Sequence, residues 1–229
     1  MPFSLHKVTA DAEFGPIVAV EHEAYSKPYN GLWAILKGPS QEDFCARQLS
    51  WHKSDPSSHW LYVTDEGSKE VVGAAGWNIH ETNPYANGAP VILANWWPEG
   101  NLKEISDQIL AGFFSARPSR TSKAHFLLNY CFVKSTHRHR GVASLLMKWG
   151  TETADEMGLE CFVESTEDGR GLYEAHGFKI YGEINLDARL EEPNKEFTRL
   201  RKELGCPIHS WYMWRPNGGT SEETEPSRT

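Results

Sequence analysis

Residues 138 to 143 read Arg-His-Arg-Gly-Val-Ala, a run whose residue types suit the binding of an anion. N–H groups in the first turn of a helix have no intrahelical partner, and the helix dipole favours negative charge there. Gly141 has no Cβ, so a bound group can approach the chain closely. Ala143 keeps the first turn small, and Arg138, His139 and Arg140 add basic or potentially basic side chains. The group that such a turn would take is a diphosphate, held by main-chain N–H groups.

This turn needs a strand before it and a helix after it. The run His125–Val133 is apolar and aromatic and of strand length. Val142, Leu145, Leu146, Trp149 and Met157 recur at helical spacing. Further on, Leu159–Ser165 reads as a second strand, followed by Leu172-Tyr173-Glu174-Ala175-His176-Gly177-Phe178.

Arg138, Gly141 and Ala143 match the first, fourth and sixth positions of Arg/Gln-x-x-Gly-x-Gly/Ala. The chain here resembles motif A of the GCN5-related N-acetyltransferases (GNAT). Leu172–Phe178 resembles that family's Leu-Tyr-x-x-x-Gly-Phe segment, in the right order and at the right distance. The resemblance is firm over about residues 125 to 186, and the run Met157–Glu164 is similar to fungal members. It implies an α/β (α+β) GNAT fold, with a mixed, mostly antiparallel twisted sheet of about six to seven strands. It also implies that two strands splay into a V where acetyl-CoA lies.

The implied reaction is direct attack of an amine on the thioester in a ternary complex. The carbonyl oxygen needs a hydrogen-bond donor as it gains charge, and the departing thiolate needs a proton. The resemblance places the main chain of Cys131, Phe132 and Val133 along the pantetheine arm and acetyl group, on a bulged strand whose spare N–H groups suit the oxyanion. Arg138, His139, Arg140, Gly141, Val142, Ala143 and Ser144 would take the diphosphate. Tyr173 matches the family's general acid, with an ordinary pKa of about 10. Its alternative is a core position between Leu172 and Phe178. Some members carry a glutamate base on the acetyl-holding strand, but this strand offers Asn129. Glu164 is the first candidate base, and His22 and Glu23 are the second; a solvated role for each, or a base acting through water, stays open. Glu23, Tyr29 and Asn129 are the expected acceptor contacts. His137 and His139 form His-x-His without a third ligand at sensible spacing, so they read as loop histidines near phosphate, and no metal is expected.

The composition sets bounds. The chain has 229 residues, 39% hydrophobic, enough for one well-cored domain. A net charge of −8 argues against nucleic acid as a partner. Cys45, Cys131, Cys161 and Cys206 form no Cys-x-x-Cys pair, which argues against structural zinc, and Cys131 and Cys161, in expected core strands, read as free thiols in a reducing compartment. No signal-peptide pattern is seen, and no apolar run approaches the ~20 residues of a membrane span. A cytoplasmic monomer or homodimer is the expectation.

Along the chain, strands are expected near 3–8, 60–64, 71–79, 179–186 and 210–214, and helices near 11–24, 39–52, 101–116 and within 187–204. Residues 1–216 read as one domain and 217–229 as a disordered tail. Residues 80–118 read as an insertion, with a turn-rich loop containing Trp96 and Trp97 and then a helix. It is either a substrate lid or a helix packed on the sheet edge. The preferred function is N-acetylation of a small-molecule amine. The alternatives are a protein or peptide N-acetyltransferase and a non-catalytic acyl-CoA-binding module.

Overall fold

The computed structural model describes residues 2–220 and Pro226. In chain order they form β1 (Phe3–Lys7), α1 (Phe14–Ser26), α2 (Gly31–Lys37), α3 (Gln41–Ser54), β2 (Ser58–Asp65), β3 (Val71–His80), α4 (Asn101–Ser115), β4 (His125–Val133), α5 (Val142–Glu156), β5 (Glu160–Ser165), α6 (Glu167–Glu174), β6 (Lys179–Leu186), α7 (Lys195–Glu203) and β7 (Ile208–Arg215). Four helices start on side-chain caps: Asn30, Ser40, Thr166 and Asn194 accept from the N–H of Trp33, Asp43, Gly169 and Phe197. No helix among the described residues is long and apolar enough to cross a membrane.

The seven strands form one sheet in the order β1-β2-β3-β4-β5-β7-β6. Every neighbouring pair is antiparallel except β4 and β5. The expected mixed, mostly antiparallel sheet is therefore present. On one face Val142, Leu146, Met147 and Ala154 of α5 pack on Trp77, Phe126 and Val163. On the other, Phe14, Ile17, Val20 and Ala24 of α1 pack on Trp60, Ala74 and Phe132.

Two irregularities of β4 matter for the site. First, β4 pairs with β5 only from His125 to Leu128, so the stretch 129–133 leaves β5 and opens a V. Second, the β3–β4 register shifts: Gly76 faces Tyr130 and Trp77 faces Leu128, which makes Asn129 the extra residue of a bulge. The extra residue switches the side-chain alternation. Phe126, Leu128, Cys131 and Val133 all lie on the α5 side, whereas Tyr130 and Phe132 lie on the α1 side.

The insertion does not hang free. Residues Ile105, Ile109, Leu110 and Phe113 of α4 pack on Ile184 and Leu186 of β6 and Phe197 of α7. The indole N–H groups of Trp96 and Trp97 both donate to Ile35 O, at 2.8 and 3.2 Å. The Arg47 guanidinium stacks over the Trp96 ring at 4.3 Å. These two tryptophans bolt the loop to α2 and α3. Trp96→Ala should therefore lower the melting temperature, with a loss of about 2–3 kcal/mol, below the range for fully buried large aromatics because the ring is only partly buried. Thermal unfolding of the variant checks this.

α2 is not among the helices expected from the sequence. Its signals are the Asn30 cap, the apolar run Leu32–Leu36 and Gly38 just past the end. Of the expected tail, Asn217–Gly219 form a short 3-10 turn whose Gly218 N–H donates to Asp155 Oδ1 at 2.7 Å. Residues 221–225 and 227–229 lie outside the described residues.

Candidate active site

A cleft of about 1650 Å³ runs along the V between β4 and β5. Its first end is the turn before α5. Gly141 is the N-cap residue there, with φ 89°, a left-handed conformation that glycine adopts at no steric cost. His139 is left-handed too, at φ 57°. The first helical bond of α5 runs from Leu145 N–H to Gly141 O (3.1 Å), so the amides of Val142, Ala143 and Ser144 precede it. Arg138, His139, Gly141, Val142, Ala143 and Ser144 all line the cleft. A Cβ on Gly141 would meet nothing within 4 Å, so the main chain faces open space here.

At the middle of the cleft, Tyr173 of α6 stands beside β4. Its residue is 7% exposed, and its ring packs on Phe178 at 5.9 Å between centroids. Burial, and then the nearby Cys131 thiol, push its pKa well above the usual tyrosine value. Tyr25 of α1 reaches the same place, its hydroxyl donating to Cys131 O at 3.4 Å. Cys131, Phe132, Val133 and Asn129 line the cleft.

The far end is aromatic. Trp33, Trp51 and Trp60 come from α2, α3 and β2, and Tyr130 from β4. The Trp60 and Tyr130 rings stack at 5.2 Å over Gly76, where a Cβ would come within 2.9 Å of the Trp60 ring. Phe113, Phe114 and Tyr85 close this end from the insertion. Behind the aromatic wall, Glu21 is fully buried. Its carboxyl accepts from Trp33 Nε1 (3.0 Å) and Gln48 Nε2 (2.9 Å). Burial raises its pKa to about 8 against these two donors. Gln48 lines the cleft, is 2% exposed, and its Oε1 has no hydrogen-bond partner.

The sequence matches the model of the acetyltransferase (GNAT) family over residues 22–178. The chain belongs to the GNAT acetyltransferases. No curated protein matches it significantly. Among solved structures it is similar to a mosquito arylalkylamine N-acetyltransferase like 5b, at 15% identity and TM-score 0.62 over 94% of this chain and 100% of that one. It is also similar to a phosphinothricin acetyltransferase (Pat) from Sinorhizobium meliloti in complex with AcCoA, at 12% identity and TM-score 0.55 over 99% and 94%. A histone acetyltransferase HPA2 and related acetyltransferase from Corynebacterium glutamicum gives 17% identity and TM-score 0.54 over 95% and 97%. At these identities the likeness is one of fold.

Within this GNAT scaffold several expected site residues are placed differently from the sequence reading. Glu164 is not a free carboxylate. Its two oxygens accept from Nε and Nη2 of Arg117 at 2.8 and 2.9 Å. Glu23 faces the turn after β4, accepting from the N–H and hydroxyl of Ser135 at 3.2 and 2.8 Å, so it is not on the acceptor side. His22 packs on the Trp33 ring at 5.4 Å, and neither it nor Glu23 lines the cleft. Arg140 turns away from the cleft, toward Asp65 (3.9 Å) and the Phe3 ring (5.2 Å). The Arg138 guanidinium is directed at main-chain carbonyls: Ala24 O at 2.9 Å, Lys27 O at 3.2 Å and Val133 O at 3.3 Å. With Arg138 and Arg140 so directed, the turn presents main chain more than side-chain charge to the cleft. His137 lies 3.5 Å from Asp65, apart from the exposed His139. Among the described residues no group of three or more His, Cys, Asp or Glu has metal-binding geometry. Tyr29, 56% exposed, sits on the rim of the cleft.

Sequence reasoning missed Arg117, Glu21, Gln48 and Tyr25. Arg117 carried no local signal, since it lies in a turn after α4 and meets its partners only through the fold. Glu21 did carry one. It shares the buried stripe of α1 with Phe14, Ile17 and Val18, and an acid on an apolar stripe must find partners.

Proposed function

We propose that this chain transfers the acetyl group of acetyl-CoA to the primary amine of a small molecule with an aromatic or apolar body, by direct attack in a ternary complex. The observation that carries this reading is the single cleft that joins a main-chain anion site to an aromatic compartment across the parted strands. The amides before Leu145 would hold the diphosphate, each hydrogen bond to charged phosphate contributing roughly 1.5–3 kcal/mol. The pantetheine arm would follow 131–133, and the acetyl carbonyl would meet main-chain donors released where β4 leaves β5. Tyr173 would give the thiolate its proton. With Glu164 tied to Arg117, the amine would lose its proton to water. The aromatic wall of Trp33, Trp51, Trp60 and Tyr130 favours a flat apolar body on the acceptor. An arylalkylamine, the substrate type in the mosquito protein's name, has that form.

The test begins with CoA. Calorimetry should show binding to the wild type, and Gly141→Asp should weaken it at least about tenfold, close to 1.4 kcal/mol. Aspartate is one of the few residues that visits the left-handed region, and no neighbour crowds its Cβ, so the variant should fold. Its carboxylate would face two phosphates. Unchanged CoA affinity in the folded variant would remove the diphosphate from this turn. Thiol release from acetyl-CoA with a panel of amines then separates an enzyme from a binding module. A peptide panel separates small-molecule from protein acceptors.

A further inference from the structure

One guanidinium stands where β4 and β5 separate. Leu128 and Val163 are the last paired residues, and the next residue on each strand bonds to Arg117. Nε and Nη2 grip Glu164 of β5 at 2.8 and 2.9 Å, and Nη2 also donates to Asn129 Oδ1 of β4 at 3.0 Å. The two charged side chains are 9% and 5% exposed. A guanidinium is a rigid planar fork. The double grip on Glu164 sets its plane, and the third bond then sets Asn129. Arg117 is itself held firmly: its carbonyl accepts from the N–H and hydroxyl of Thr121 at 2.9 and 3.0 Å, and its guanidinium lies 4.9 Å from the Phe113 and Phe114 rings.

The row continues across the sheet. Asn129 Nδ2 donates to Asn78 Oδ1 at 2.6 Å, and Asn78 Nδ2 donates to Asp55 Oδ2 at 2.7 Å. A cation at one end and a carboxylate at the other leave both carboxamides a single orientation, each oxygen toward Arg117 and each NH₂ toward Asp55. Reversing either would set like poles against each other. Asn129 is the bulged residue, so this row singles out which residue of β4 is the extra one. A bulge one position away would put the wrong side chains on each face.

We infer that Arg117, supplied by the insertion, is a positioning residue that sets the fork of β4 and β5 and holds the bulge at Asn129, and so aims the main-chain donors that meet the acetyl carbonyl. The last step rests on the proposed acetyl transfer. The pin itself does not.

Two variants test it. Arg117→Met with Glu164→Leu removes the pin without leaving a buried charge unpaired, a replacement that is often neutral or stabilising. Arg117→Lys keeps the charge but loses the fork. For the double variant we expect hydrogen exchange over 125–133 to accelerate and kcat to fall about 10²-fold, the scale of a 1 Å misplacement. CoA affinity should stay within about twofold, because the diphosphate turn is untouched. Arg117→Lys should fall between the two. A folded variant of either kind with wild-type exchange over β4 and wild-type kcat would overturn the inference and make the pair a plain stability element. A wild type that neither binds CoA nor releases thiol would remove the acetyl-transfer reading instead. The exchange measurement would still decide whether Arg117 holds the fork.

Discussion

Tyr173→Phe should lower kcat about 10²- to 10³-fold while acetyl-CoA affinity changes little. The substitution keeps the ring, which packs on Phe178, and removes only the hydroxyl. Loss of a general acid is felt in the step that uses the proton, not in uniform binding. A tyrosine of ordinary pKa would ionise near the top of the assay range, and the variant's deficit would then shrink as pH rises. Burial, and then Cys131, hold this phenol well above that value. The ratio of wild-type to variant kcat should therefore stay flat up to about pH 10. Steady-state kinetics across that range check both points. A Phe variant with near-normal kcat would return Tyr173 to the core and leave the thiolate to water.

Glu21→Gln should stabilise the protein, and by more as pH rises. In the folded chain the carboxyl titrates at about 8 rather than at its ordinary 4.5. Between those values the unfolded chain has already released the proton that the folded chain keeps. Stability therefore falls as pH rises through this window and is level above it. Each tenfold change in proton affinity is worth about 1.4 kcal/mol, so above pH 8 the buried carboxylate costs up to ~5 kcal/mol. Glutamine carries no charge. Its oxygen can accept from Trp33 Nε1, and its NH₂ can donate to Gln48 Oε1, which has no partner in the wild type. Melting temperatures of the two proteins should nearly coincide at pH 5 and diverge by pH 8. A constant difference would place the Glu21 titration near its ordinary value.

The fold was legible where periodicity and turn chemistry agreed. His125–Val133 and Lys179–Leu186 were read to the residue, because each is an apolar or alternating run with clear punctuation. The turn before α5 was legible because its left-handed residue, Gly141, is a local requirement of the main chain. The bulge was not. Every residue from Phe126 to Leu128 and from Tyr130 to Val133 is apolar or aromatic, so an alternation that switches face leaves no trace in the pattern. The partners of the two candidate bases were not legible for a related reason. Glu164 and Glu23 were at plausible positions, but their partners Arg117 and Ser135 lie 47 and 112 residues away along the chain. The tryptophans of the insertion were ambiguous in the sequence. Trp96 and Trp97 left a substrate lid and plain packing equally open; both indoles are committed to Ile35 O, and it is Pro84, Tyr85, Gly88, Pro90 and Ile92 of that loop that line the cleft.

α1 makes contacts at the turn before α5, at the fork and behind the aromatic wall. Near its C-terminal end its Ala24 carbonyl receives Arg138 and its Glu23 receives Ser135, both from the segment leading into the turn before α5. Tyr25 reaches Cys131 O at the fork, and Glu21 holds the Trp33 and Gln48 side chains of the aromatic wall. One rigid rod thus spans both compartments. Arg138, Ser135, Cys131, Trp33 and Gln48 are all fastened to this one helix of 13 residues. If an occupant of the turn and an occupant of the wall each bias that helix, reciprocity sets the two effects equal.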